Sequence, residues 1–461
     1  MPTTTTLDLS EILSDVQGNI LRGYRSNAAA YVFLSVHDAA EAKAWLADLA
    51  AQVTTANVKP PQRTLNLAVT YPGLRALGLP PRSLASFPEA FRDGMAKRSA
   101  LLGDAGDNAP GRWHAPFREK DDLHLMVLIA GQDADSVSQR VEELQQGLWQ
   151  AGLHEVAPPL NAHRLDDDHE HFGYKDGMSQ PGVLGVHEEG GVGEGALQDG
   201  RWRPLQPGEF LLGLPDEDGG PPVLPDPPEL GQGGSYLVLR KLQQDVAEFR
   251  RLLSATARRL GVSDDTVAAK LMGRWRDGTP LTLRPEGPDP ALAGDKRANN
   301  RFTFTSDTDG FRCPVGAHIR RANPRGSLGF GGLLERRHRI IRRGMPYGPP
   351  LPEGAEDDHR DRGLVFACYQ ADIERQFEFI QAHWLGDGNA FALGTDRDPL
   401  IGDPGDGSRR LRIEGQPPRF VDALQQTVRV RGGAYFLVPG ISALCYLSRL
   451  PAPGAAPAAV S

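Results

Sequence analysis

Two stretches of this chain concentrate side chains able to do chemistry. Residues 161–182, NAHRLDDDHEHFGYKDGMSQPG, set His163, His169 and His171 beside Asp166, Asp167, Asp168 and Asp176. Imidazoles and carboxylates in that number could converge on a hard divalent cation, which would make a metal-dependent hydrolase one functional class. No His-Glu-x-x-His spacing fixes two ligands on one helical face, however, and consecutive aspartates on a loop are as readily solvated. Within the stretch, Gly173-Tyr174-Lys175-Asp176-Gly177 holds one carboxylate between two glycines. Such a backbone can turn sharply and approach a ligand closely, or form a plain surface turn.

The second stretch runs from Phe311 to Gly348 and carries nine arginines and no lysine: Arg312, Arg320, Arg321, Arg325, Arg336, Arg337, Arg339, Arg342 and Arg343. Guanidinium groups suit bidentate recognition of carboxylate or phosphate, so the cluster reads either as a local anion site or as a solvated basic face. His318 differs from the histidines of the first stretch because its context, Pro-Val-Gly-Ala-His-Ile, is apolar. A lone histidine there is either a hydrogen-bonded core residue or the single imidazole that a haem iron needs, with nearby arginines free to pair with propionates.

These groups must be positioned by elements that the hydropathy pattern marks out. Leu9, Ile12, Leu13, Val16 and Ile20 lie at helical spacing. The apolar run 30–36 predicts a strand, and Asp38 with Glu41 caps a helix whose buried stripe is Ala42, Trp45, Leu46, Leu49 and Val53. Leu65, Leu67 and Val69 alternate as a strand, and the strand 123–129 leads into a helix with Val137, Val141, Leu144 and Leu148 on one face. The same order returns: strand 235–240, helix through Val246, Phe249 and Leu253, strands 301–305 and 363–369, a helix with Ile373, Phe377, Ile380 and Trp384, and strand 434–438. This predicts two α+β halves, each a sheet with helices on one face, with no short sequence repeat. The expected organisation is a first half over 1–184, Gly/Pro-rich connecting loops over 185–234, a second half over 235–450 and a mobile tail over 451–461.

Composition bounds the classes. The 461 residues carry 53 glycines and 38 prolines in an otherwise ordinary soluble mixture, which excludes a fibrous or wholly disordered chain. A formal net charge of -8 argues against nucleic acid or an anionic membrane as partner. No apolar run approaches bilayer length and the N-terminus lacks signal-peptide character, so the expected location is the cytoplasm. Three scattered cysteines, Cys313, Cys368 and Cys445, supply neither a disulfide framework nor a thiolate cage.

Taken together, GYKDG resembles the Gly-x-x-Asp-Gly signature of the dye-decolorizing haem peroxidases. Three further segments agree in order. Residues 15–21, DVQGNIL, resemble the opening of the longer-chain members, CPVGAHIRRANPR their proximal-histidine segment, and IIRRGMPYG their distal-arginine segment. The likeness extends from about residue 8 to 445. It implies two ferredoxin-like halves of the dimeric α/β-barrel type, with antiparallel sheets, peripheral helices and haem b held mainly by the second half. It also implies reduction of hydrogen peroxide and oxidation of phenols, aromatic amines and bulky dyes, in a monomer or homodimer. Carried over to this chain, His318 is the iron ligand, and Asp176 and Arg342 are the distal catalytic pair. Arg320 and Arg325 are expected at the propionates, and Leu364 and Phe366 on the distal side of the haem. The carboxylate behind the imidazole is expected at Asp396 in preference to Asp398. Gly344 departs from members with a polar residue two places after the distal arginine, implying a different water network. A carboxylate that takes the proton of peroxide works in mildly acidic solution, so an acidic optimum is expected. Trp275, Trp384, Tyr347 and Tyr369 are candidates to relay electrons from large dyes, and manganese oxidation stays open. The competing class is a non-catalytic haem carrier or a haem-iron-handling protein, which shares such architecture without needing Asp176 and Arg342 together.

Overall fold

In the computed structural model, residues 9, 11–59, 61–119, 121–187, 193–198, 201–402, 409–415, 417–421 and 424–451 are described, so the expected tail over 451–461 falls almost wholly outside them. The chain follows one path twice. Strand β1 (Ala28–Val36) leads to α1 (Ala39–Ala50), β2 (Arg63–Val69), β3 (Leu125–Gly131), α2 (Ala134–Leu148) and β4 (Leu153–His163). After a long connection come β5 (Ser235–Gln244), α3 (Val246–Leu260), α4 (Asp264–Met272) and a short helix α5 (His318–Ala322). The short strands β6 (Ile341–Arg342) and β7 (Met345–Tyr347), then β8 (Gly363–Gln370), follow. A helix over 374–385, β9 (Val428–Val438) and α6 (Ile441–Ser448) complete the fold.

The first path pairs in the order β4-β1-β3-β2 and the second in the order β9-β5-β8-β6, with β7 also on β8. Each is an antiparallel β-α-β-β-α-β unit of ferredoxin type. The two are joined edge to edge into nine strands through Val69 and Leu437. One apolar cluster runs across the junction, from Val32 and Phe33 through Leu67 to Leu237, Val365 and Phe436. Asp38, Asp133 and Asp245 cap α1, α2 and α3 by accepting backbone N–H groups, the first as the sequence predicts.

Three expectations change. The helix over residues 9–20 is absent: turns give way at Gln17 to extended backbone, leaving helix only at Gly18–Leu21. Gln17 is wholly buried; its side-chain amide donates to the carbonyls of Leu67 (2.8 Å) and Pro439 (2.9 Å), and its oxygen accepts from Leu67 N–H (2.9 Å). Those bonds hold it between the two units and override helical propensity. Residues 301–305 do not form a strand either. Phe302 and Phe304 alternate as in one, but Phe304 N–H bonds to Arg325 C=O and the rings pack under the guanidiniums of Arg325 (4.2 Å) and Arg320 (4.7 Å). Strand β4 was not anticipated, since Pro158 and Pro159 interrupt it. It survives as an edge strand whose register on β1 shifts between Tyr31 and Leu34. The connection over 185–234 is well anchored where described: Phe210, Leu211 and Leu212 are fully buried, and Ala196–Gln198 pairs with Arg201–Arg203 as a hairpin.

The helix over 374–385 is wider than an α-helix. Glu378 N–H reaches Ile373 C=O (2.9 Å) and Gly386 N–H reaches Gln381 C=O (2.9 Å), five residues back in each case. Such widened turns are rare and concentrate where side chains must be re-aimed. No helix among the described residues is long and apolar enough to cross a membrane.

Candidate functional site

The long segment after β4 and the second unit enclose a cavity of about 330 Å³. Asp176, His318, Arg325, Arg342, Leu364 and Phe366 all line it, so six of the residues singled out from the sequence converge. Strand alternation turns Leu364 and Phe366 to the same face of β8. Phe377, Ile380 and Leu385, spaced by the wide helix, complete an apolar wall with Leu400, Val428 and Val430.

His318 opens α5, just after the turn Cys313–Ala317. Its Nδ1 lies 3.0 Å from Oδ2 of Asp398. Asp398 has no exposed surface, and its Oδ1 accepts the N–H groups of Leu400 and Ile401, each at 2.9 Å. Burial alone would raise this carboxyl's pKa, but His318, the Ile401 N–H and Arg321 outweigh it and hold the pKa below the usual aspartate value. With Nδ1 engaged, Nε2 is the ring nitrogen left for the cavity. This corrects the expectation of Asp396, whose Oδ1 instead accepts from Arg410 Nε at 3.0 Å. The signal that separates them is Asp398-Pro399: an aspartate before proline starts a turn and caps the N–H groups that follow. Arg321, which the sequence reading gave no role, donates to the carbonyls of Trp384 (3.0 Å) and Asp396 (2.7 Å), so it ties α5 to the loop that presents Asp398.

A second contribution to the same cavity comes from the glycine-flanked turn. Gly173 and Gly177 both take the positive φ (87° and 68°) that the motif predicts, and Asp176 sits between them. Its Oδ1 accepts Gly177 N–H at 2.6 Å. Arg342 is exposed to the cavity and bound to the same segment: its backbone N–H donates to Gln180 Oε1 (3.0 Å) and its Nη2 to Ser179 C=O (3.0 Å). Among the described residues no hydrogen bond or ion pair joins Asp176 to Arg342 directly. Gly344 has a packing reason, because a Cβ there would lie 2.6 Å from the Val365 carbonyl oxygen on β8.

The arginine cluster divides. Arg320 does not line the cavity: it is 1% exposed and bonds to Asp307 and to the carbonyls of Cys313 (2.8 Å) and Asp307 (2.8 Å), a fixed structural strut. Its expected place at a propionate is therefore corrected, since it is buried away from the cavity and both its terminal nitrogens are spent inside α5's own approach loop. Arg343 is likewise engaged, with Nε on Asn19 C=O at 3.1 Å. Arg274, Arg325 and Arg339 do line the cavity. Burial, and then repulsion from neighbouring arginines, pulls Arg339 down to about 10 and Arg325 well below its ordinary value; burial also takes Arg274 to about 10. Among the described residues none of the three has a carboxylate within ion-pair distance. The acidic cluster at 163–169 gathers no metal cage: among the described residues no three ligating side chains converge.

An apolar slot, one imidazole whose second nitrogen is carboxylate-bound, and a rim of guanidiniums with no carboxylate at ion-pair distance among the described residues fit a flat apolar macrocycle bearing iron and carboxylate arms, which is haem. A non-catalytic haem carrier would need neither Asp176 nor Arg342 in the cavity that the imidazole lines.

The comparisons with known proteins agree. Residues 15–158 match the model of the DyP dimeric alpha+beta barrel domain and residues 221–393 that of the Dyp-type peroxidase C-terminal domain. The chain is 33% identical to dye-decolorizing peroxidase msp1 of Mycetinis scorodonius, over 94% of this chain and 86% of that one. Among solved structures, an ancestral D-type dye-decolorizing peroxidase superposes with a TM-score of 0.81 at 32% identity, covering 94% of this chain and 98% of that one. A dye-decolorizing peroxidase in complex with 2,6-dimethoxyphenol superposes with a TM-score of 0.80 at 29% identity, covering 95% and 99%.

Proposed function

Because this chain belongs to the dye-decolorizing peroxidase family, whose members are haem enzymes, we propose that it reduces hydrogen peroxide and oxidises phenols, aromatic amines and dyes through His318, Asp176 and Arg342, with haem b in the cavity. The observation that carries the reading is the His318–Asp398 pair opening on the cavity that Asp176 and Arg342 also line.

His318 would hold the iron through Nε2, while Asp398 accepts its Nδ1–H and gives the ring more electron density than a lone imidazole has. Arg325 and Arg339 would meet the propionates, while the terminal nitrogens of Arg274 are held by Gly278, Asn299 and Asn300, and Leu364 and Phe366 would pack on the macrocycle. Haem, when bound, supplies the redox chemistry that divides the O–O bond of peroxide. Asp176 accepts the proton that peroxide must lose at Oδ2, since Gly177 N–H already occupies Oδ1, and returns it to the departing oxygen. Arg342, permanently cationic and fixed by Ser179 and Gln180, stabilises the negative charge arising there. An acidic optimum is expected, and a rate peaking above neutral pH with the Soret band intact would count against it.

Absorbance of hemin-reconstituted protein tests the assignment. The wild type should show a Soret band that His318→Ala displaces or loses, Asp176→Asn and Arg342→Leu should keep the band and lose peroxide turnover, and Asp398→Asn should shift the band. A wild type without a Soret band would end the reading.

A further inference from the structure

Behind the cavity wall lies a side-chain group with no part in the chemistry above. Tyr435, on β9, is 2% exposed, and its hydroxyl donates to Glu378 Oε1 at 2.8 Å. Glu378, on the wide helix and also 2% exposed, is bridged by Arg98, whose Nε and Nη2 donate to its two oxygens at 2.6 Å each. On its other side the Tyr435 ring meets Phe377 edge-on, with centroids 6.4 Å apart and planes at 74°. Phe377 lines the cavity, as does Phe366, whose ring centroid is 6.2 Å from that of Phe377. One aromatic ring therefore separates the buried phenol from the site of peroxide chemistry.

A phenol gives up an electron readily only when its proton can leave with it, because the oxidised phenol is a strong acid. Glu378 is a ready acceptor at hydrogen-bond distance. Burial, followed by the neighbouring carboxylate, holds the phenol pKa well above its usual value, so the hydroxyl keeps its proton at rest. Linking the two units would require only Arg98 and Glu378; the tyrosine adds an oxidisable group beside a base, out of reach of solvent.

We propose that Tyr435 and Glu378 form an internal redox site: Tyr435 gives one electron to the oxidising equivalent that peroxide delivers to the cavity, and its hydroxyl proton passes to Glu378 Oε1. The products are a neutral tyrosyl radical and a protonated carboxyl, and an electron from the reducing substrate with return of the same proton restores both. The inference rests on the haem peroxidase reading, which supplies the oxidant.

The test is freeze-quench electron paramagnetic resonance of the holoenzyme mixed with hydrogen peroxide without reductant, after growth on ring-deuterated tyrosine. The wild type should give a tyrosyl signal that narrows on deuteration. Tyr435→Phe should lose it, and Glu378→Gln should reduce it while keeping the ring. Soret absorbance and a melting curve check loading and folding of each variant. Placing 3-fluorotyrosine at position 435, which keeps the hydroxyl, should change the hyperfine pattern irrespective of variant folding. If the holoenzyme consumes peroxide with a phenol, yet no tyrosyl signal arises, or the signal persists in Tyr435→Phe, or the fluorinated protein shows an unchanged pattern, the redox site is refuted. If it consumes no peroxide, the peroxidase reading fails and this inference falls with it.

Discussion

At the scale of single residues, the site shows how a type of side chain can be legible while its partner is not. His318 stands out by its apolar context, and Asp176 by its flanking glycines. Asp396 and Asp398 are two positions apart in a loop, and apart from the proline that follows Asp398 nothing local tells them apart; in the fold Asp398 turns toward the imidazole while Asp396 turns to Arg410. The arginines repeat the lesson: Arg320 and Arg325 share one segment, yet one is a buried strut and the other reaches the cavity. His171 carries a pH prediction. Its Nε2 meets Tyr347 C=O at 2.8 Å, its Nδ1 is buried without a partner, and burial lowers its pKa to about 4. The folded value lies below the unfolded one, so the unfolded chain takes up the proton first. The stability associated with the neutral ring is complete above about pH 6.5 and is lost as pH falls toward 4, by roughly 3 kcal/mol. Melting temperatures of apo-protein should therefore fall less between pH 7 and 4.5 in His171→Gln than in the wild type; parallel slopes would refute this.

At the scale of elements, amphipathic stripes and caps were enough to read α1, α2 and α3, because those signals are local. The helix over 374–385 was legible as a helix but not in its winding, since the 373-377-380-384 stripe is compatible with an α-helix. The wider turn brings Phe377, Ile380 and Leu385 to the cavity and Glu378 to Tyr435. Gln17 was misread because its constraint is wholly tertiary. Gln17→Ala should remove bonds to Leu67 and Pro439 and leave buried groups unpaired, costing about 3 kcal/mol. Urea unfolding should show a lower midpoint at unchanged slope; a change in slope would instead point to a broken native structure.

At the scale of the whole molecule, two α+β halves were legible from the recurring order of elements, whereas their union into one sheet was not. That union rests on a single paired position, Val69 with Leu437, and on an apolar cluster drawn from both units, contacts separated by hundreds of residues in sequence. The bidentate Arg98–Glu378 pair and Gln17 also cross the boundary. A core shared in this way should unfold as one body. Far-ultraviolet circular dichroism and tryptophan fluorescence of the apo-protein should report coincident thermal transitions, and two separated midpoints would show independent units.

The distribution of the site along the chain bears on its biogenesis. The turn with Asp176 is synthesised early, the imidazole at 318 much later, and Asp398 later still, while β9, which closes the sheet, ends at Val438. A nascent polypeptide stalled before residue 398 thus exposes an imidazole with no carboxylate behind it, and cofactor capture should wait for the segments that carry Asp398 and β9. Ribosome-bound chains arrested at successive lengths should acquire hemin absorbance only once β9 has emerged from the exit tunnel.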